Sequence, residues 1–152
     1  MDDRVKLPYT NAVIMETQRC ANLLPQNLFR ATRQPTVLGG CLLPAGTSVL
    51  PQMSVVLYDE TVFPAPHEFR PERFVDAATG QLKKVDELIP FSCGKRQCLG
   101  EALARLELFL FLANLLRKYK IVPERADRLP SLYKKFSIVV NLQPYLCRLE
   151  KR

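Results

Sequence analysis

From Gln34 to Tyr58 the chain carries no charged residue. A stretch with that polarity has two homes, a membrane helix or an apolar interior. Proline and glycine decide between them: Pro35, Pro44 and Pro51, with Gly39, Gly40 and Gly46, cut the run into pieces too short for any spanning helix. Thr36–Leu38, Cys41–Leu43 and Thr47–Leu50 read instead as buried strands, joined by turns such as Pro44-Ala45-Gly46-Thr47.

The flanking segments carry helical periodicity. Leu7 to Leu24 reads as a helix with Pro8 in its first turn, where a missing N–H costs nothing, and Pro25 as its stop. Leu99 to Lys120 is the strongest helix, with Glu101 in its first turn and Arg117, Lys118 and Lys120 in its last, each complementing the helix dipole. Leu103, Leu106, Phe109, Leu110, Ala113 and Leu116 form one stripe. Leu108, Phe111, Leu112 and Leu115 fill the other side, so the second half is apolar nearly all round and predicts burial in something larger. Between these helices, Phe63 to Phe91 is irregular, punctuated by Pro64, Pro66, Pro71 and Pro90. In the tail one strand is expected, over Phe136–Leu142. The fold class that results is mainly α with small β elements (α+β), in one unit spanning residues 1–152.

Charge and cysteine usage exclude several function classes. The formal net charge of +7 comes without any block of five like charges. No basic stripe interleaved with aromatics is present, so no nucleic acid partner is expected. Five cysteines (Cys20, Cys41, Cys93, Cys98 and Cys147) form an odd, irregularly spaced set, which argues against a secreted disulfide framework. Met1-Asp2-Asp3-Arg4 opens without an apolar run, and the apolar stretch Leu108–Ala113 is far too short to cross a bilayer. The expectation is a chain without membrane anchor or signal peptide, intracellular, and soluble or peripheral.

One segment carries chemistry: Phe91-Ser92-Cys93-Gly94-Lys95-Arg96-Gln97-Cys98-Leu99-Gly100. A glycine-punctuated loop sets Cys98 just before a helix N-terminus, where unpaired N–H groups and the dipole favour thiolate. Arg96 and Lys95 add positive charge, Gly94 permits a bend with positive φ, and Gly100 leaves room beside the helix for something flat. Such a cysteine is a nucleophile, a redox thiol or a metal ligand. Cys20, Cys41 and Cys147 lack this surrounding and read as ordinary packing. Cys93 and Cys98 make Cys-x4-Cys without a second ligand pair, a poor zinc site. His67, the only histidine, leaves a general base or a metal ligand open.

Phe91, Gly94, Arg96, Cys98 and Gly100 fall into Phe-x-x-Gly-x-Arg-x-Cys-x-Gly, which resembles the haem-binding motif of the cytochrome P450 monooxygenases. Glu16-Thr17-Gln18-Arg19 is similar to that family's Glu-x-x-Arg on its K helix, and Pro71-Glu72-Arg73-Phe74 to its Pro-Glu-Arg-Phe element, preceded by Pro66-His67-Glu68-Phe69. The resemblance runs from about Leu7 to about Leu149 and is closest to the animal microsomal branch.

The resemblance implies haem b as cofactor, with Cys98 as proximal thiolate ligand of its iron. Arg96 and Arg30 would pair with haem propionates, and Phe91, Leu99 and Gly100 would lie near the porphyrin. It makes Glu16, Arg19 and Arg73 a buried network that locks the meandering loop, and His67, by its place in Pro-x-His-Glu-Phe, a loop hydrogen-bonding residue. Leu23–Phe29 and Leu132–Ile138 fall where the family lines its substrate pocket. The implied partners are O2, a lipophilic small molecule (xenobiotic, steroid or fatty acid) and an NADPH-dependent reductase, at the endoplasmic reticulum membrane for a full-length member. The family's long distal helix, with its acid–Thr pair, has no counterpart here. The expectation is therefore a C-terminal third that binds haem weakly and does not hydroxylate substrate by itself. A catalytically inactive haem- or partner-binding product and a cysteine-based redox or acyl-transfer enzyme are the alternatives.

Overall fold

The computed structural model describes residues 4–127, 129–135 and 137–152. Helix α1 spans Pro8–Ala21, with Pro8 at its first position. It stops at Asn22, which takes a left-handed conformation (φ 44°) and donates its N–H to the Gln18 carbonyl. Asparagine tolerates that conformation, so the helix ends before Pro25 instead of running to Leu24.

The charge-free stretch folds as two nested antiparallel ribbons. Strand β1 (Arg30–Ala31) pairs with β4 (Ser48–Val49), and inside it β2 (Thr36–Leu38) pairs with β3 (Cys41–Leu43). The inner turn is Gly39-Gly40, both at positive φ, as a two-residue hairpin demands. These strands are not buried as the sequence led us to expect. Every residue of β2 is exposed, because a two-stranded ribbon has two faces to cover and neither is covered among the described residues. Helix α2 (Met53–Leu57) follows.

The core sits where α1 and α2 meet the irregular segment. Ala12, Met53, Leu57, Phe63, Phe74 and Leu88 form one buried cluster, flanked by Met15, Val62, Val75, Val85 and Ile89. The Phe63 and Phe74 rings lie 6.2 Å apart in a tilted pair. The proline-rich segment is therefore ordered, though irregular. A 3-10 turn at Pro71–Phe74 packs on α1, the Asp76 carboxylate accepts N–H bonds from Ala78 and Thr79, and Val75 bridges Leu82.

Helix α3 spans Glu101–Lys118, two residues shorter at each end than its periodicity suggests. Only Phe109 is buried in it; Leu103, Leu110 and Phe111 stay exposed. One face of α3 meets α1, and the larger body implied by its apolar second half is not supplied by the described residues. The chain then turns straight into β5 (Tyr119–Pro123), which pairs antiparallel with β8 (Cys147–Lys151). The single strand expected over Phe136–Leu142 is absent. Phe136 lies outside the described residues, Ser137–Val139 bend, and the short strands β6 (Lys134–Lys135) and β7 (Asn141–Leu142) pair with each other. The architecture is α+β: helices with small two-stranded sheets. No helix among the described residues is long and apolar enough to cross a membrane.

Candidate functional site

Cys98 lies three residues before α3, in a loop fixed from both sides. Its N–H donates to the Phe91 carbonyl at 3.0 Å, and its own carbonyl accepts from Glu101 N–H at 3.4 Å. A 3-10 turn over Gly94–Arg96 fills the interval. Gly94 has φ +72°, and a Cβ there would touch nothing, so its backbone conformation alone calls for glycine. Gly100 has an ordinary φ (−86°), and a Cβ on it would lie 3.9 Å from the Cys98 sulfur. The absent side chain leaves open space beside that sulfur.

Cys98 is a free, exposed thiol; Leu99 beside it is fully exposed, and Arg96 and Lys95 are exposed. Phe91 is half-buried beneath the Arg105 guanidinium, 5.4 Å from its ring centroid. Arg105 is itself held by Glu101 at 2.7 Å. Arg30 is half-buried in β1 opposite Val49. Two residues that the sequence did not single out anchor the loop. Ser92 stands at φ 67°, a strained conformation for a residue other than glycine, and its Oγ accepts from Asn27 Nδ2 at 2.7 Å. That bond joins the Leu23–Phe29 segment to the cysteine loop. Leu23 in turn accepts from Val140 N–H at 2.8 Å, which ties the same segment to the tail.

A buried ionic network joins α1 to the proline-rich segment. The Glu16 carboxylate accepts from Arg19 Nε at 2.8 Å, Arg19 Nη2 at 3.0 Å, Arg70 N–H at 2.8 Å and Arg73 Nε at 3.2 Å. Glu16 and Arg19 are wholly buried, and the Arg73 side chain is 6% exposed. Arg19 also donates to the carbonyls of Leu57, Pro66 and Glu68, and Arg73 to those of Pro64, Ala65 and Glu68. Two guanidiniums thus stitch α1 to the proline-rich segment through its backbone oxygens. Burial alone would raise the Glu16 pKa; the Arg19 and Arg70 hydrogen bonds and the charges of Arg19 and Arg73 outweigh it and hold the carboxyl below its ordinary value. Burial likewise opposes the Arg19 charge, and the Glu16 bond reverses that and raises its pKa.

The remaining residues fall elsewhere. His67 makes no hydrogen bond among the described residues; its ring stacks on Tyr58 at 5.4 Å in place of the loop bond expected from sequence. The Tyr58 hydroxyl donates to the Cys20 carbonyl and accepts from Lys134 Nζ. The Cys20 thiol is half-buried, and desolvation pushes its pKa up. No group of three metal-ligating side chains occurs among the described residues.

The cytochrome P450 family model matches residues 1–149. The chain belongs to the cytochrome P450 family. It is 43% identical to cytochrome P450 2D3 of Rattus norvegicus over 152 residues, covering 99% of this chain and 30% of that protein. It is 46% identical to cytochrome P450 2C3 of Oryctolagus cuniculus over 123 residues, 81% of this chain and 25% of that protein. With cytochrome P450 2A4 of Mus musculus the identity is 49% over 118 residues, 78% and 24% respectively. The chain spans under a third of the length of these curated relatives.

The family uses haem b, and the residues present fit that group. A porphyrin brings four nitrogen ligands of its own, so the protein needs to offer one soft donor beside an apolar surface, not a cluster. Cys98 is a free thiol at the open edge of its loop, next to the exposed Leu99 and the side-chain-free Gly100. The exposed Arg96 offers a guanidinium for an acidic substituent.

Proposed function

We propose that this chain is the haem-carrying C-terminal part of a single cytochrome P450 domain, and that the protein it represents oxidises lipophilic small molecules. Cys98 would hold the iron through its sulfur. Arg96 and Arg30 pair with the propionates, Phe91 and Leu99 pack against the ring, Gly94 makes the bend, and Gly100 leaves the space. When bound, haem supplies the chemistry with O2, and donation from a thiolate favours cleavage of the O–O bond. The backbone around Cys98 orients the sulfur: its N–H is committed to Phe91, and the Ser92–Asn27 bond holds the loop start. Glu16, Arg19 and Arg73 fasten the proline-rich segment to α1 and serve haem incorporation through structure, not chemistry.

The substrate is a xenobiotic, steroid or fatty acid, in keeping with the exposed Leu23, Leu28, Phe29, Leu132 and Ile138 in the two pocket segments. Electrons come from an NADPH-dependent reductase, and the full-length protein resides at the endoplasmic reticulum membrane. The exposure of Leu99 and of one face of α3 favours a second reading for the 152-residue chain by itself: a haem- or partner-binding product without turnover.

The observation that carries the proposal is the free, exposed Cys98 in its fixed loop. Haem titration of five single Cys→Ala variants tests it. Only Cys98→Ala is expected to lose the sulfur-ligated spectrum; equal spectra in all five would refute it. Reductase-dependent substrate hydroxylation by the purified chain would overturn the second reading.

A further inference from the structure

The structure points to an anion site at the corner where α3 runs into β5, away from the cysteine loop. We propose that this corner binds a phosphoryl group. The helix ends at Lys118 and the strand begins at Tyr119 with no intervening loop. Lys151 lies opposite Tyr119 in the β5–β8 ladder, and Arg152 donates its N–H to the Lys118 carbonyl at 3.0 Å and its Nε to the Tyr119 carbonyl at 3.4 Å. Arg117, Lys118, Tyr119, Lys151 and Arg152 thereby line one open concavity of about 520 Å³.

Charge is concentrated at this corner: four of the five lining residues are cations. Neither Arg117, Lys118, Lys151 nor Arg152 takes part in an ion pair among the described residues, whereas Arg19, Arg73, Lys84, Arg105 and Arg125 each have a carboxylate. The nearest acid on the ladder, Glu150, lies opposite Lys120 in the register, on the other face from Lys151 by strand alternation, and does not line the concavity. The helix dipole offers only about half an elementary negative charge at this end, against four cations. The surplus is too polar for an apolar cover and suits a multiply charged anion. Two guanidinium forks and two ammonium groups match the oxygens of a phosphate better than a single carboxylate does. A phosphorylated soluble molecule and an anionic lipid headgroup present the same chemistry.

Pyrophosphate titrated into the full 152-residue chain by calorimetry, at about 0.05 M salt, tests the site. Binding is expected, weakening as salt rises to about 0.3 M and falling by about tenfold or more in Lys118→Glu/Lys151→Glu. Far-UV circular dichroism of that variant verifies that the exposed substitutions leave the fold intact. Lys84→Glu, a single reversal on another exposed segment, is expected to change binding little. No pyrophosphate binding at low salt, or an equal loss in Lys84→Glu, would overturn the proposal. Phosphatidic-acid vesicles separate the sources: binding that pyrophosphate competes away supports a lipid headgroup at this site. Pyrophosphate binding without vesicle binding supports a soluble ligand, and vesicle binding that pyrophosphate cannot displace overturns it.

Discussion

Replacing Glu16 with Gln keeps the side chain's shape and removes its charge. The native carboxylate receives four N–H bonds and faces two guanidiniums while wholly buried. The amide cannot accept all four, and it leaves Arg19 and Arg73 as neighbouring cations in a dry site. Breaking a buried pair from one side costs about 3–5 kcal/mol. The carbonyl bonds that Arg19 retains to Leu57, Pro66 and Glu68 favour the lower half of that range. The comparison is Glu101→Gln, which loses the partly exposed pair to Arg105 one helical turn away. An i,i+4 pair of that kind contributes about 0.5 kcal/mol. Urea unfolding of both variants, followed by far-UV circular dichroism, gives the two free energies directly. A Glu16→Gln loss no larger than that of Glu101→Gln would refute the claim that this network fastens the loop to α1.

Three further outcomes are expected. Because the Glu16 pKa is lowered on folding, its contribution is fully present above the unfolded carboxylate pKa of about 4.3. It is lost as pH falls through the lower folded value, so acid titration of stability is expected to slope down below about pH 4 in the native chain and less in Glu16→Gln. Gly94→Ala, where a Cβ meets no atom, is expected to cost about 1–2 kcal/mol through backbone strain alone, measured by urea unfolding; a cost near zero would show that the loop relaxes without that bend. Phe74→Ala removes a wholly buried ring from the centre of the core and is expected to cost about 3–5 kcal/mol by the same assay.

Much of this was legible in the sequence, and for identifiable reasons. Pro8 and the acidic and basic ends of α3 placed the two long helices to within three residues, since caps and dipoles act locally. Gly39-Gly40 and Pro44 to Gly46 located the turns between the short strands correctly. The burial of those strands was misjudged because a charge-free run reports what a segment tolerates, not what lies against it. Strand β8 has no local signature: every residue of Cys147-Arg148-Leu149-Glu150-Lys151 is exposed, and its pairing with β5 is a long-range contact that no local pattern encodes. At the site, Glu16, Arg19 and Arg73 do meet in space, though Glu-x-x-Arg alone is a weak pattern and only the resemblance joined it to Arg73. Asn27, Ser92 and Arg105 gave no signal, because their roles rest on partners brought near only by folding.

The central claim is that the Cys98 sulfur binds haem iron, and the ferrous carbon monoxide spectrum of the haem-loaded chain tests it most directly. Sulfur ligation is expected to give a Soret band shifted well to the red, and Cys98→His is expected to return the band to the position seen with nitrogen ligands. An unshifted band in the native chain, or a red-shifted one that survives Cys98→His, would contradict the account.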